Sequence, residues 1–103
     1  MEPANLLVIE GTVHRTPIKK QSPSGVGHII LSLEHQSTQV EAGLPRKAYV
    51  RIQVVLSGDV AQQYSQDLYQ GCYISVSGFL SRHETKDGVG KLVLHAQKIE
   101  RIQ

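Results

Sequence analysis

Residues 48–71 read AYVRIQVVLSGDVAQQYSQDLYQG, and the fold turns on this stretch. In its first half Ala48, Val50, Ile52, Val54 and Leu56 alternate with Tyr49, Arg51, Gln53, Val55 and Ser57. An apolar set at period two is the pattern of a strand with one face on a core. Ser57-Gly58-Asp59 then ends the strand. Val60, Tyr64 and Leu68 follow at i, i+4, i+8, the spacing of a short amphipathic helix over Asp59–Gln70, with Gly71 as its stop. A strand that hands over to one short helix is the frame on which the rest of the chain is placed.

Working outward, Leu6–Val13 (LLVIEGTV) reads as a first strand, with Gly11 as a bend. Thr16–Gly27 (TPIKKQSPSGVG) is rich in Pro, Gly, Ser and Lys and reads as a loop. A second strand covers Ile29–Glu34, with Ile29, Leu31 and Leu33 on one face. The polar stretch Gln36–Arg46 reads as a second loop, punctuated by Gly43 and Pro45. Beyond the helix, Tyr73–Arg82 is a fourth strand, with Ile74, Val76 and Leu80 inward and Gly78 at another bend. Lys91–Arg101 is a fifth. Asp87-Gly88 between these two is a hairpin turn signal. The order is β-β-β-α-β-β in one domain, residues 1–103. Five strands are too few for an immunoglobulin-like sandwich. The expected class is all-β, a five-stranded OB-fold barrel with one short helix between the third and fourth strands; an SH3-like barrel is the structural rival, but lacks a helix of this length at that place.

The bulk numbers agree with a small globular chain. It has 103 residues, 40% hydrophobic and 19% charged, with net charge +2 and a pI of about 8.8. No apolar run nears the roughly 18–20 residues of a membrane helix, and MEPANLLVIEG lacks the basic start of a signal peptide. A cytoplasmic protein with no membrane partner is expected. The one cysteine, Cys72, forms no internal disulfide and reads as a small buried hydrophobe. Enzymatic patterns are missing. The five histidines are scattered with no H-x-x-x-H pair, and neither a G-x-S-x-G elbow nor a G-x-x-x-x-G-K-[ST] loop occurs. No catalytic residue, metal or cofactor is assigned.

A mild net charge does not announce nucleic acid, so placement decides. OB-folds bind single strands on the second and third strands and on the loops joining strands one to two and four to five. Cations there follow phosphates and flat side chains stack on bases. Lys19 and Lys20 fall in the first of those loops, with Arg15 at its entrance. Lys86 falls in the second, with Arg82 and Lys91 at its edges. Arg46, Lys47 and Arg51 sit on or before the third strand. Tyr49, the first outward residue of that strand, is the stacking candidate; the alternative is a surface tyrosine covering the barrel.

Several phrases now combine. R-T-P at Arg15–Pro17, S-P-S-G at Ser22–Gly25, L-E-H at Leu33–His35, A-G at Ala42-Gly43 and V-L-H-A at Val93–Ala96 resemble, in order and spacing, the bacterial primosomal replication protein N family. The resemblance runs from about Leu6 to Ile102. It implies an OB-fold homodimer that binds single-stranded DNA and bridges a primosomal helicase and a helicase-loading factor at stalled forks. Barrel edges and the outward Ile30 and Val55 would then take cover in the dimer. Related single-strand-binding proteins carry a long acidic-ended tail, whereas this chain stops at Gln103; that favours the primosomal reading over a general coating protein. The family carries a tryptophan where Tyr49 stands, an arginine near Gln36, an aromatic near Leu44 and a lysine-rich hairpin where Glu84 interrupts Arg82 and Lys86. Each departure thins the grip on DNA. The competing reading is therefore an OB-fold protein–protein adaptor with weak or residual DNA binding.

Overall fold

The computed structural model describes all residues 1–103. Its elements are β1 (Leu7–Val13), β2 (Ile18–Gln21), β3 (Gly27–Glu41), β4 (Leu44–Ser57), α1 (Asp59–Gln63), β5 (Tyr73–Glu84) and β6 (Gly90–Arg101). Five of the strands close into a ring. β1 pairs with β5, β5 with β6, β6 with β4, β4 with β3, and β3 returns to β1 through Thr12↔Glu34 and Val13↔Leu33. All contacts are antiparallel except β4–β6, which is parallel over Gln53↔Val93 to Val55↔His95. This is the OB-fold expected from the element order, with the helix between β4 and β5.

The alternation that opened the sequence reading fills the interior. Ile52, Val54 and Leu56 of β4 are buried, and meet Ile29, Leu31 and Leu33 of β3, Ile74 and Val76 of β5, and Leu94, Ala96 and Ile99 of β6. No polar or charged residue is buried. Fully burying one Val, Leu or Ile side chain contributes about 1.5–3 kcal/mol, so this cluster dominates the favourable side of folding. Cys72 sits within it as a buried apolar residue.

The two glycine bends have a specific cause. A Cβ on Gly78 would run into the backbone carbonyl of His95, and one on Gly11 into the carbonyl of Glu34. These are places where neighbouring backbones approach too closely for a side chain. At Gly78 the β5–β6 register also slips by one residue, between Ser77 and Gly78. A bulge of this kind turns a strand round a barrel corner.

Four boundaries differ from the sequence expectation. The loop Thr16–Gly27 contains β2, an edge strand paired with β3 from Ile18↔Ile30 to Gln21↔Gly27. All four of its residues are exposed, so it carries no apolar alternation to read. The loop expected over Gln36–Arg46 is instead the outer half of one long hairpin. β3 and β4 pair without interruption from His28↔Ser57 to Glu41↔Leu44, and only Ala42-Gly43 form the turn. Both take positive φ, 52° and 77°, as the two-residue turns that match strand twist require. The helix expected over Asp59–Gln70 ends at Gln63. So short a helix cannot hold itself in water and lasts only where packing supports it. Ala61 is buried, while Val60, Tyr64 and Leu68 pack on the core from a helical turn followed by irregular turns. The Tyr64 hydroxyl donates to the Ile99 carbonyl at 2.6 Å, pinning the chain there. Finally, the last hairpin is longer than expected, with strands reaching Glu84 and Gly90. No helix is long and apolar enough to cross a membrane.

Candidate nucleic-acid interface

The outward residues of β4 build the candidate surface. Parity puts Tyr49, Arg51 and Gln53 on the outside, because Val50, Ile52 and Val54 face in. The β3 register then sets Gln36 opposite Tyr49, Glu34 opposite Arg51 and Ser32 opposite Gln53. An open groove runs alongside, lined by His14, Arg15, Ile18, Arg51, Gln53 and Lys91. Three cations from three separate parts of the chain thus share one concavity. Tyr49 is 56% exposed and joins this group through its hydroxyl, which accepts from Arg51 at 3.2 Å. It also lines a smaller hollow with Lys47, Gln36 and Thr38. A flat exposed ring beside cations that track a groove is the arrangement that holds an unpaired strand.

The other sequence candidates lie elsewhere. Lys19 and Lys20 line a second concavity with His28, Asp59 and Gln62. Arg46 stands near the tip of the long hairpin, and Arg82 and Lys86 belong to the β5–β6 hairpin. None of these three lines the central groove.

Acidic neighbours hold three of the candidate cations. Arg51 donates to Glu34 at 2.7 Å, Arg46 to Glu41 at 2.6 Å, and Arg82 to Glu84 at 2.9 Å. Glu34 is the central clamp, because His14 also approaches it at 3.2 Å. The hydrogen bond from Arg51 holds the Glu34 carboxyl below its ordinary range, against a smaller opposing effect of desolvation. Arg51 is shifted upward, chiefly by the same bond, so it stays charged. Six of the candidate cations carry no ion pair with a carboxylate: Arg15, Lys19, Lys20, Lys47, Lys86 and Lys91.

Two features escaped sequence reasoning. One is the Glu34 clamp, which depends on register. The other is a ring cluster on β5 and β6. Phe79 stacks on His95 with centroids 4.9 Å apart and planes 13° apart, and His83 lies 5.2 Å from His95. Its only sequence signal is that Phe79, His83 and His95 fall at outward positions of strands that face each other. In the β5–β6 turn itself, Thr85 donates to Asp87 and holds the Asp87 carboxyl low, which fixes the turn rather than offering a ligand.

A family model described as "another single-strand binding protein family" matches residues 5–98. Curated relatives cover nearly the whole chain. The replication restart protein PriB of Serratia proteamaculans is 48% identical over 99 residues, spanning 96% of this chain and 94% of its own. The protein of the same name from Pectobacterium carotovorum is 47% identical over 102 residues, spanning 99% and 96%.

The chain belongs to the PriB family.

Among solved structures, PriB from Ralstonia solanacearum superposes with a TM-score of 0.81 at 22% identity, over 98% of this chain and all of that one. The wild-type single-stranded DNA binding protein of Thermus aquaticus does so with a TM-score of 0.81 at 23% identity, over 97% of this chain and half of the other. At these identities the likeness is one of fold, and it is the same ring of strands.

Proposed function

We propose that this protein is a non-catalytic accessory factor of the replication-restart primosome that holds single-stranded DNA. The observation that carries the reading is the groove itself: Arg15, Arg51 and Lys91 converge on one outer face beside the exposed ring of Tyr49. Phosphates run along the cations and bases stack on the ring, each stacked base contributing on the order of 1–3 kcal/mol. Lys47 extends the path along β4. Lys19, Lys20, Lys86, Arg46 and Arg82 lie off the groove, and serve a longer strand that wraps beyond it. The reaction inventory stays empty, because the role is to hold and present a strand.

In this reading the protein bridges a primosomal helicase and a helicase-loading factor in the cytoplasm, as a homodimer. The dimer is supported by the free side of β1: Leu7–Gly11 bond β5 on one edge, and β1 meets β3 only at Thr12 and Val13. Val8 stands exposed on that strand, and Leu6 just before it. An open strand edge with apolar side chains is a place for another strand. Ile30 and Val55, expected to need cover, are already half-buried.

The adaptor reading keeps one specific support, the three ion pairs that occupy Arg46, Arg51 and Arg82. Anisotropy of a labelled oligothymidine separates the two. Tyr49→Ala and Lys20→Ala should weaken DNA binding while leaving partner binding intact. Wild-type protein that fails to bind the oligonucleotide at low salt, yet captures the helicase or loader, would establish the adaptor instead.

A further inference from the structure

The outer face of the β5–β6 hairpin carries two histidines that the DNA-binding reading does not use. His95 on β6 is opposite Phe79, His83 on β5 is opposite Lys91, and Ser81↔Val93 pair between them. The two imidazoles turn toward each other across this diagonal, with Nε2 to Nε2 at 3.2 Å. Neither Nδ1 is hydrogen-bonded to protein, so the facing nitrogens are the ones set by the fold.

We propose that His83 and His95 form a two-histidine chelate for a borderline divalent cation of the zinc class, placed on the outer face of the β5–β6 hairpin.

The geometry fits the ion. A tetrahedral metal with Zn–N bonds of about 2.0–2.1 Å holds two nitrogens about 3.3 Å apart. The same bonds, drawn along the axis of each ring, put the centroids about 5.3 Å apart. The observed values are 3.2 Å and 5.2 Å. The ligands are also prepared. Phe79 stacks on His95 and fixes the plane of its ring. Two protein ligands leave the remaining positions to water, as in an open site rather than a closed structural one. The charge that opposes the ion is Lys91, across from His83; its flexible stem can carry the ammonium away. A bound cation would tie β5 to β6 near the base of the hairpin that carries Lys86.

Zinc chloride is titrated into the full chain by calorimetry near pH 7, with no oligonucleotide present. One ion per chain is expected. His83→Gln and His95→Gln should each lower the affinity by more than the roughly 10- to 100-fold that follows loss of a ligand's supporting partner alone. His28→Gln, whose Nδ1 pairs with Ser57, should leave it unchanged. His83 is exposed, so His83→Gln keeps the test valid even if His95→Gln unfolds. Absence of saturable binding by the wild type, or an unchanged affinity in His83→Gln, overturns the proposal and leaves a hydrogen-bonded histidine pair. Neither result bears on DNA binding at Tyr49.

Discussion

Replacing Glu34 by Gln should tighten the hold on single-stranded DNA. In the structure Glu34 engages Arg51 at 2.7 Å and His14 at 3.2 Å, and both line the central groove. The substitution keeps the shape and an acceptor oxygen but removes the negative charge that competes with phosphate. One freed cation adds one phosphate contact, so the slope of log affinity against log salt should steepen by about 0.7. Across a fourfold change in salt, such as 50 to 200 mM, that slope gives the variant about 2.6-fold more salt sensitivity than the wild type. The wild-type slope itself has a ceiling near 4 if the six candidate cations without acidic partners contact phosphate. Anisotropy of a labelled oligothymidine, titrated at several salt concentrations, reads both quantities. The Glu34 side chain is partly solvent-exposed, so the fold should survive, as circular dichroism would show. An unchanged slope, or weaker binding by a folded variant, would refute the view that Glu34 restrains Arg51 and that Arg51 meets phosphate.

Other consequences follow from the same structure. Tyr49→Ala should weaken oligothymidine binding by about 5- to 150-fold, the equivalent of one stacked base, and Tyr49→Trp should strengthen it; equal affinities of all three would remove Tyr49 from the interface. Gly78→Ala drives a Cβ into the His95 carbonyl and should cost about 1–3 kcal/mol, lowering Tm by about 4–8 °C per kcal/mol in a thermal melt. His95 titrates below its ordinary value of 6.5 in the folded chain, first through burial and then through His83. The unfolded chain therefore takes up the proton first as pH falls, and the stability held above about pH 6.5 declines below it. A His95→Gln variant should show a flatter dependence of Tm on pH between 7 and 5, and an unchanged slope would count against a neutral folded His95.

The parts of the fold that sequence reveals are those where one face is buried. Ala48–Leu56 alternates because β4 has the core on one side and solvent on the other, and that parity alone put Tyr49 and Arg51 outside together. β2 could not be read that way, since Ile18–Gln21 is exposed on every residue. The outer half of the long hairpin, Gln36–Glu41, is polar because it extends past the core, so its pairing rests on backbone bonds and not on burial. The helix was overextended because the apolar positions Tyr64 and Leu68 do face the core, but from turns. The ion pairs were hidden in the register. Every β3–β4 pair sums to 85, as a two-residue turn at Ala42-Gly43 dictates; with that turn recognised, Glu34 opposite Arg51 would have followed from counting. The meeting of Arg15 and Lys91 with Arg51 depends on ring closure, which no local pattern encodes. Glu84 beside Arg82, by contrast, is visible in the sequence, and the structure shows the pair formed at 2.9 Å.

The most direct test of the central claim is to titrate ¹⁵N-labelled protein with unlabelled oligothymidine and follow the backbone amides by NMR. Binding in the groove predicts that the amides of Arg15, Tyr49, Arg51, Gln53 and Lys91 shift together and saturate together, with α1 and the turns after it still. Shifts confined to Asp59–Gly71, or none on β4 while the oligonucleotide is bound, would contradict it.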